Sequence, residues 1–290
     1  MNTEDKRMRT LFLLPTIVVL AIVAIYPLIY TARLSFQDWN LLRSPTPEGF
    51  IGFENYSFLL THSRTWNALR VSGFFTAVSV GVSFLFGLGL ALLFSQKHMA
   101  RAGAIRTALI IPIVITPVVA GVVWRMMLAP GHGVINYFLR LLGFPDRGWL
   151  GESPGALYAL TFVDVWEWTP FMMLVIFAGL MSIPEEITEA AKVEGASPFQ
   201  TLWLIILPYI KPVILVALII RSVDAFRWFD TFFVMTRGGP GITTENLSIY
   251  IFQLAFMDFN VSQGAALAII MLIVTLVFAT AFVKALRRNI

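Results

Sequence analysis

The stretch Ser182-Ile-Pro-Glu-Glu-Ile-Thr-Glu-Ala-Ala-Lys-Val-Glu-Gly-Ala-Ser-Pro-Phe-Gln200, continuing through Leu207-Pro-Tyr-Ile-Lys-Pro212, is a polar interruption between two long apolar runs. It reads as two short helices meeting at a glycine. Ser182 followed by Glu185 has the spacing of a capping box, in which hydroxyl and carboxylate each satisfy a free helix-end N–H. The first helix runs to about Glu194 and stops at Gly195, the residue type that enters the left-handed C′ conformation without steric cost. Ser197, Pro198 and Gln200 then restart a helix with an N-cap, a proline at N1 and a second capping box. Pro208 and Pro212 are expected to redirect the chain, because proline cannot continue the helical ladder. The pattern describes a rigid connector.

The runs on either side of it decide the class. The 290 residues are 58% hydrophobic and only 13% charged, whereas a soluble domain is about a quarter charged. The chain therefore reads as an all-α integral membrane protein. A formal net charge of +4 invites a nucleic-acid reading, but the basic residues lie in short clusters at the ends of apolar runs, as positive-inside topology requires. Without cysteine there is no disulfide, thiolate metal site or cysteine nucleophile. His62, His98 and His132 are far apart and lack an HExxH spacing, so neither a catalytic set nor a metal site is expected. No GxxxxGK[ST] phosphate loop occurs, so any ATP that drives this protein is bound by another chain.

Six spans are expected, at about 11–31, 68–95, 107–128, 156–181, 213–236 and 264–283. A charged head, residues 1–10, precedes the first. That span follows the order of a signal peptide but is too long for one and ends in Tyr26-Pro27 rather than a small-residue cleavage site. Pro112 and Pro117 predict a kink in the third span. Between spans three and four, Val134–Leu142 has the pattern of a short amphipathic helix. Lys6, Arg7, Arg9, Lys97, Arg101, Arg106, Lys192, Lys211, Lys284, Arg287 and Arg288 fall on the termini and even loops, with all five lysines among them. The longer odd loops hold seven arginines and no lysine. This bias places both termini, and the 182–212 loop, in the cytoplasm.

Within the membrane, Arg221, Asp224, Arg227 and Asp230 recur at steps of three in span five, a spacing that keeps them on one slowly drifting face. Span four adds Asp164, Trp166, Glu167 and Trp168. Each charge at mid-membrane costs about 2.5–3.5 kcal/mol on insertion scales, so these side chains must pair or face a wet cavity. Rings beside carboxylates and guanidinia suit a carbohydrate, whose C–H faces pack on the aromatics while its hydroxyls meet the charges. Asp164, Trp166, Glu167, Trp168, Arg221, Asp224, Arg227 and Trp228 are thus the candidate substrate-binding set. The competing reading makes Arg221–Asp224 and Arg227–Asp230 internal ion pairs. Trp124-Arg125, at the end of span three, reads as an interfacial anchor ahead of a gate.

Written as a pattern, the loop is E-A-A-x3-G-x9-I-x-L-P: Glu189, Ala190, Ala191, Gly195, Ile205, Leu207 and Pro208. This resembles the EAA loop of ATP-binding-cassette importer permeases. Phe229-Asp230, Thr236-Arg237-Gly238-Gly239-Pro240-Gly241 and Ile111-Pro112 with Pro117-Val118-Val119-Ala120-Gly121 resemble the maltose-type carbohydrate branch of that family. Arg237 departs from it, where glycine is frequent. The resemblance extends over nearly the whole chain. It implies the type I importer permease fold, with 182–212 docking as a coupling helix on a nucleotide-binding subunit through Glu186, Glu189, Ala190, Ala191, Gly195 and Ala196. It further implies a non-catalytic subunit of a bacterial or archaeal cytoplasmic membrane, moving sugar by alternating access. Its partners would be a second permease subunit, two ATPase subunits carrying the ATP and Mg²⁺, and an extracytoplasmic solute-binding protein, with no cofactor in this chain. A different class, an ion-gradient-driven transporter with Asp164, Glu167 and Asp224 as proton carriers, would be expected to show inverted repeats with matched broken helices. None is visible in the sequence.

Overall fold

A computed structural model describes residues 3–96 and 103–287. The expected basic loop residues Lys97, His98 and Arg101, and Arg288 at the end, lie outside the described residues. Among the described residues the regular elements are all helices, with two isolated β-bridges, Gln37 to Phe50 and Asn40 to Asn260.

The first apolar run forms α1 (Thr3–Leu20), a π-helical turn (Ala21–Ile25) and α2 (Tyr26–Leu34) in unbroken succession. After α3 (Glu54–Thr61) comes the long α4 (Ser63–Ser95), then α5 (Gly103–Val114), α6 (Pro117–Met127) and the short α7 (Val134–Leu141). α8 (Gly155–Met181) leads into α9 (Glu185–Val193) and α10 (Pro198–Thr201). A second π-helical turn (Leu202–Ile206) joins α10 to α11 (Leu207–Phe226). α12 (Asp230–Met235), α13 (Leu247–Phe252), a third π-helical turn (Gln253–Met257) and α14 (Val261–Arg287) complete the chain. Helices long and apolar enough to cross a bilayer cover 12–34, 63–95, 155–181, 198–235 and 261–281; the bent pair α5 and α6 supplies a sixth if it is one span.

Several expectations are revised. The third span is broken rather than kinked: α5 and α6 meet at 97°. Pro117 opens α6 behind an extended Thr116 (ψ 143°), the conformation that a following proline favours. Ser182 forms no capping box with Glu185, because it still belongs to the last turn of α8 and its hydroxyl donates to the Gly179 carbonyl at 2.7 Å. Pro184 occupies the N-cap of α9 instead. Pro208 and Pro212 do not turn the chain. Pro208 sits at the start of α11 directly after the π-turn, whose closing bond runs from Leu207 N–H to Leu202 O. This wider turn loosens the ladder where proline cannot donate. The helix of the fifth span therefore starts well before residue 213 and stops at Phe226, with Arg227 to Phe229 outside helix before α12.

The chain divides into two compact units, residues 1–65 with 250–273, and residues 66–249 with 274–290. In the first, Asn55 Nδ2 donates to the carbonyls of Ser35 and Gln37, both at 3.0 Å. Leu41 N–H donates to Phe259 O at 2.9 Å, and Ser262 N–H to Trp39 O at 3.3 Å. The second unit contains the core. Val71, Phe75, Leu160, Val163, Met172 and Phe232 form one buried cluster, and Ala91, Phe94, Met173, Ile176, Ile210 and Ile214 form another. Outside these clusters α8 and α11 also expose large apolar side chains such as Phe162, Val216 and Ile220. That is the expected surface of a helix whose solvent is lipid.

α4 and α8 cross closely at Gly87, where a Cβ would lie 2.9 Å from the Met173 nitrogen and 3.0 Å from the Met172 carbonyl carbon. Backbone cannot yield as a flexible side chain does. Gly87→Val is expected to destabilise the folded chain by about 1–3 kcal/mol, seen as a lower Tm in detergent. Gly89→Val, with open space around its Cβ, should leave Tm nearly unchanged.

Candidate functional site

The charged residues of the second unit assemble where α4, α8 and α11 meet. Asp164 on α8 and Arg221 on α11 are both fully buried and form an ion pair through Asp164 Oδ2 and Arg221 Nη2. Ser79 of α4 donates its hydroxyl to the same carboxylate oxygen. The Arg221 guanidinium carbon lies 4.6 Å from the Trp168 ring centroid and 5.5 Å from that of Trp228. The two indoles meet edge to face at 5.6 Å. The cation therefore has a carboxylate on one side and aromatic faces elsewhere, the partners that offset its desolvation.

From this pair the charges step outward. Arg221 Nη1 is 3.8 Å from Asp224 Oδ2, and Asp224 Oδ1 is 3.5 Å from Arg227 Nη2. Side-chain exposure rises from 0% at Asp164 and Arg221 to 27% at Asp224 and 60% at Arg227. The outer two are exposed because the helix ends there: Arg227 is the C-cap of α11. A cavity of about 480 Å³ opens against this edge, lined by Trp168, Phe171, Ile219, Arg221, Asp224 and Arg227 among others.

Of the eight expected substrate residues, Trp168, Arg221, Asp224 and Arg227 border this cavity. Asp164 and Trp228 stand behind it as supports, the Trp228 indole donating to Thr231 Oγ1 at 3.2 Å. Glu167 is buried and does not line it, and its Oε2 has no hydrogen-bond partner among the described residues. Trp166 points elsewhere, packing edge to face on Trp124 at 5.4 Å. The expected Arg227–Asp230 pair does not form, because the break at Arg227 to Phe229 ends the steps-of-three register; Arg227 pairs with Asp224. Arg221 pairs first with Asp164 and only at longer range with Asp224.

Sequence reasoning missed Ser79 and Phe171. Ser72, Ser79 and Ser83 are all buried on α4, and their offsets of seven and four put them on one helix face. That hydroxyl stripe within an apolar span was the available signal.

The loop at the other end of α11 is built as a firm corner. α9 closes in a Schellman motif: Ala196 N–H donates to Ala191 O at 3.0 Å and Gly195 N–H to Lys192 O at 3.1 Å, with Gly195 at φ +81°. Both halves of the Ser197–Gln200 capping box are present. Glu186, Glu189, Ala190 and Gly195 are exposed, Ala196 is half-buried, and Ala191 is buried, so Ala191 supports this surface from within. Val193 and Phe199, at 89% and 71% exposure, belong to the exposed surface and were not anticipated. From Pro198 to Phe226 the backbone stays helical through the π-turn. The exposed corner and the charged edge of the cavity thus share one rod.

The model of binding-protein-dependent transport system inner membrane components matches residues 83–290. The trehalose/maltose transport system permease protein MalF of Thermococcus litoralis is 34% identical over 284 residues, covering 97% of this chain and 94% of that protein. The trehalose transport system permease protein SugA of Mycobacterium tuberculosis (strain H37Rv) is 38% identical over 280 residues, covering 97% and 89%. In structure, the chain resembles a chain of a bacterial ABC transporter involved in the import of the acidic polysaccharide alginate, with a TM-score of 0.87, 24% identity, and coverage of 98% and 96%.

Removing one partner of a buried pair leaves an uncompensated charge, at a cost of about 3–5 kcal/mol. Asp164→Ala is therefore expected to lower Tm in detergent far more than Asp224→Ala, whose side chain is partly exposed. The double variant Asp164→Leu/Arg221→Met should regain most of the loss, because it removes both charges and keeps apolar volume.

Proposed function

The chain belongs to the binding-protein-dependent transport system inner membrane components, and from that premise we propose that it conducts a sugar or sugar derivative for an ATP-driven importer. The carrying observation is the single helical rod that joins the exposed Glu189–Gly195 corner to Asp224. At ~1.5 Å per residue, Pro198 to Phe226 spans roughly 40 Å. A displacement at the corner is delivered to the cavity edge along this continuous run of helix.

In this reading an ATPase partner, which holds ATP and Mg²⁺, seats α9 through the exposed Glu186, Glu189, Ala190 and Gly195, with Val193 and Phe199 supplying apolar contact. The corner lies in the cytoplasm with both termini, and two ATPase subunits act on this chain and a second permease subunit. A solute-binding protein delivers the sugar. The names of the relatives, trehalose/maltose and trehalose permeases, support a carbohydrate. So does the chemistry of the cavity edge. Trp168 and Phe171 offer ring surface for C–H faces, while Asp224 and Arg227 offer an acceptor and donors for hydroxyls. Asp164, Arg221 and Ser79 hold that edge in place without touching substrate. The ion-gradient alternative is not favoured, because the family is that of binding-protein-dependent transport components and the relatives are sugar permeases of that type.

Two outcomes test this in proteoliposomes containing the whole transporter. Asp224→Ala or Arg227→Ala should reduce sugar uptake at least tenfold while basal ATP hydrolysis persists; undiminished uptake would remove both residues from the substrate path. Glu189→Lys or Gly195→Val should separate ATP hydrolysis from uptake with normal membrane insertion, because Gly195 holds a φ of +81° that a β-branched residue cannot adopt without strain. Wild-type coupling in both would reject docking at this corner.

A further inference from the structure

A second cavity lies apart from the charged edge, at the junction of the end of α6, α7 and the start of α8, with a volume of about 520 Å³. Its walls are apolar and aromatic: Trp124 from α6 and Leu128 just after it, Ile135 from α7, and Tyr158 and Phe162 from α8. Trp124 and Phe162 meet edge to face at 5.2 Å, and Tyr158 and Phe162 are each 56% exposed. Arg147 and Glu152 also line the cavity.

These two charges have no ion partner among the described residues. The Arg147 guanidinium rests over the Trp149 ring at 5.7 Å, and the Glu152 carboxylate lies above Gly148, where an added Cβ would meet its Oε1 at 3.2 Å. One cavity thus offers a free cation and a free anion above an apolar trough. Depth sorts them. α8 begins at Gly155, so Tyr158 and Phe162 lie about one and two turns inside the span, roughly 5–10 Å down at ~1.5 Å per residue. Arg147 and Glu152 precede the helix, beyond the end of this apolar span.

α7 shows what surrounds this corner. Its one buried side chain is polar: Asn136 donates to the carbonyls of Ala129 and Arg147 and accepts from Arg147 N–H and the Trp149 indole, all at 3.1 Å. Val134, Tyr137, Phe138 and Leu141 face outward. A helix with its amide inside and its apolar stripe outside is inverted for water and correct for lipid.

We propose that this cavity binds one zwitterionic aminophospholipid, with an acyl chain along Phe162 and Leu128, its phosphate on Arg147 and its ammonium on Glu152. Charge complementarity selects this class: an anionic lipid would leave Glu152 opposed, and a sugar would leave the apolar trough unused.

The test is native mass spectrometry of the full chain purified in mild detergent and offered phosphatidylethanolamine or phosphatidylglycerol. The wild type is expected to retain one phosphatidylethanolamine per chain in preference to phosphatidylglycerol. Arg147→Gln should lose that lipid severalfold, and Glu152→Lys should reverse the headgroup preference. Both side chains are exposed, and unchanged Tm separates loss of the site from misfolding; should either variant unfold, Phe162→Trp, which narrows the trough, replaces it. Equal retention of both lipids by wild type and variants would overturn the proposal. So would displacement of the lipid by trehalose, which would mark a carbohydrate site, or absence of lipid in the chain copurified with its partners, which would mean that protein covers the cavity.

Discussion

The buried pair between Asp164 and Arg221 is the constraint around which the second unit is arranged. An arginine with no exposed surface inside a membrane span has few permissible environments, since neither lipid nor apolar side chains can solvate it. Here the Asp164 carboxylate of α8, which also accepts from Ser79 of α4, and the faces of Trp168 and Trp228 surround it. Ser79 lies on α4, Asp164 and Trp168 on α8, and Trp228 just after α11, so burying this pair ties three helices to the start of the segment after α11. The close backbone approach at Gly87 and the packing of the Val213 side chain on Gly179 are compatible with that arrangement and tighten it. In a medium that supplies no hydrophobic drive between helices, such contacts and van der Waals packing are what hold spans together.

The same constraint explains the form of α11. Its charged end must reach Asp164 while its other end continues into the corner at Gly195. Pro198, Pro208 and Pro212 fall between these points: Pro198 opens α10, the π-turn at Leu202–Ile206 directly precedes Pro208, and Pro212 lies within α11, so the chain stays helical past all three. Rigidity is conserved at both ends, by the Schellman motif and capping box on one side and by the ion pair on the other. Compliance is left to Arg227–Phe229, where the helix stops. Asp224 and Arg227 are therefore attached to a stiff lever and adjoin a break, the position from which a small rotation changes which side chains face the cavity.

Much of this was readable in the residues. Apolar runs of about twenty residues locate spans because backbone polar groups in lipid must be closed into helices, and Gly195 and Ser197-Pro198-x-Gln200 specify their caps through local chemistry alone. The errors share a cause: each assumed that a local pattern continues. The Arg221-to-Asp230 repeat presumed an intact helix through Arg227. Pro208 and Pro212 were read as turns because the π-turn that accommodates Pro208 has no residue signature of its own. Ser182 carried a capping spacing, yet its hydroxyl was taken by the preceding helix. Trp166 and Trp168 could have been separated in advance. Two residues apart on a helix are about 200° apart, so both could not face the site that Asp164 faces.

The gradient of exposure along α11 separates the charges that tie the helices together from those that border the cavity. A charge with every lone pair or proton occupied by protein cannot recognise a ligand, and a charge left free inside lipid cannot be tolerated. Asp164 and Arg221 approach the first limit, since both are fully buried and paired with each other, although Asp164 Oδ1 and Arg221 Nε and Nη1 have no hydrogen-bond partner among the described residues. Arg227, at 60% exposure, avoids the second only because the cavity and the helix end admit water to it. Asp224 lies between, within 3.8 Å of Arg221 and 3.5 Å of Arg227. A sugar hydroxyl that bonds Asp224 would compete with these two long contacts and leave the Asp164–Arg221 pair untouched. The membrane's intolerance of bare charge thereby anchors the inner pair and leaves the outer one exchangeable, which is what a transient binding edge requires.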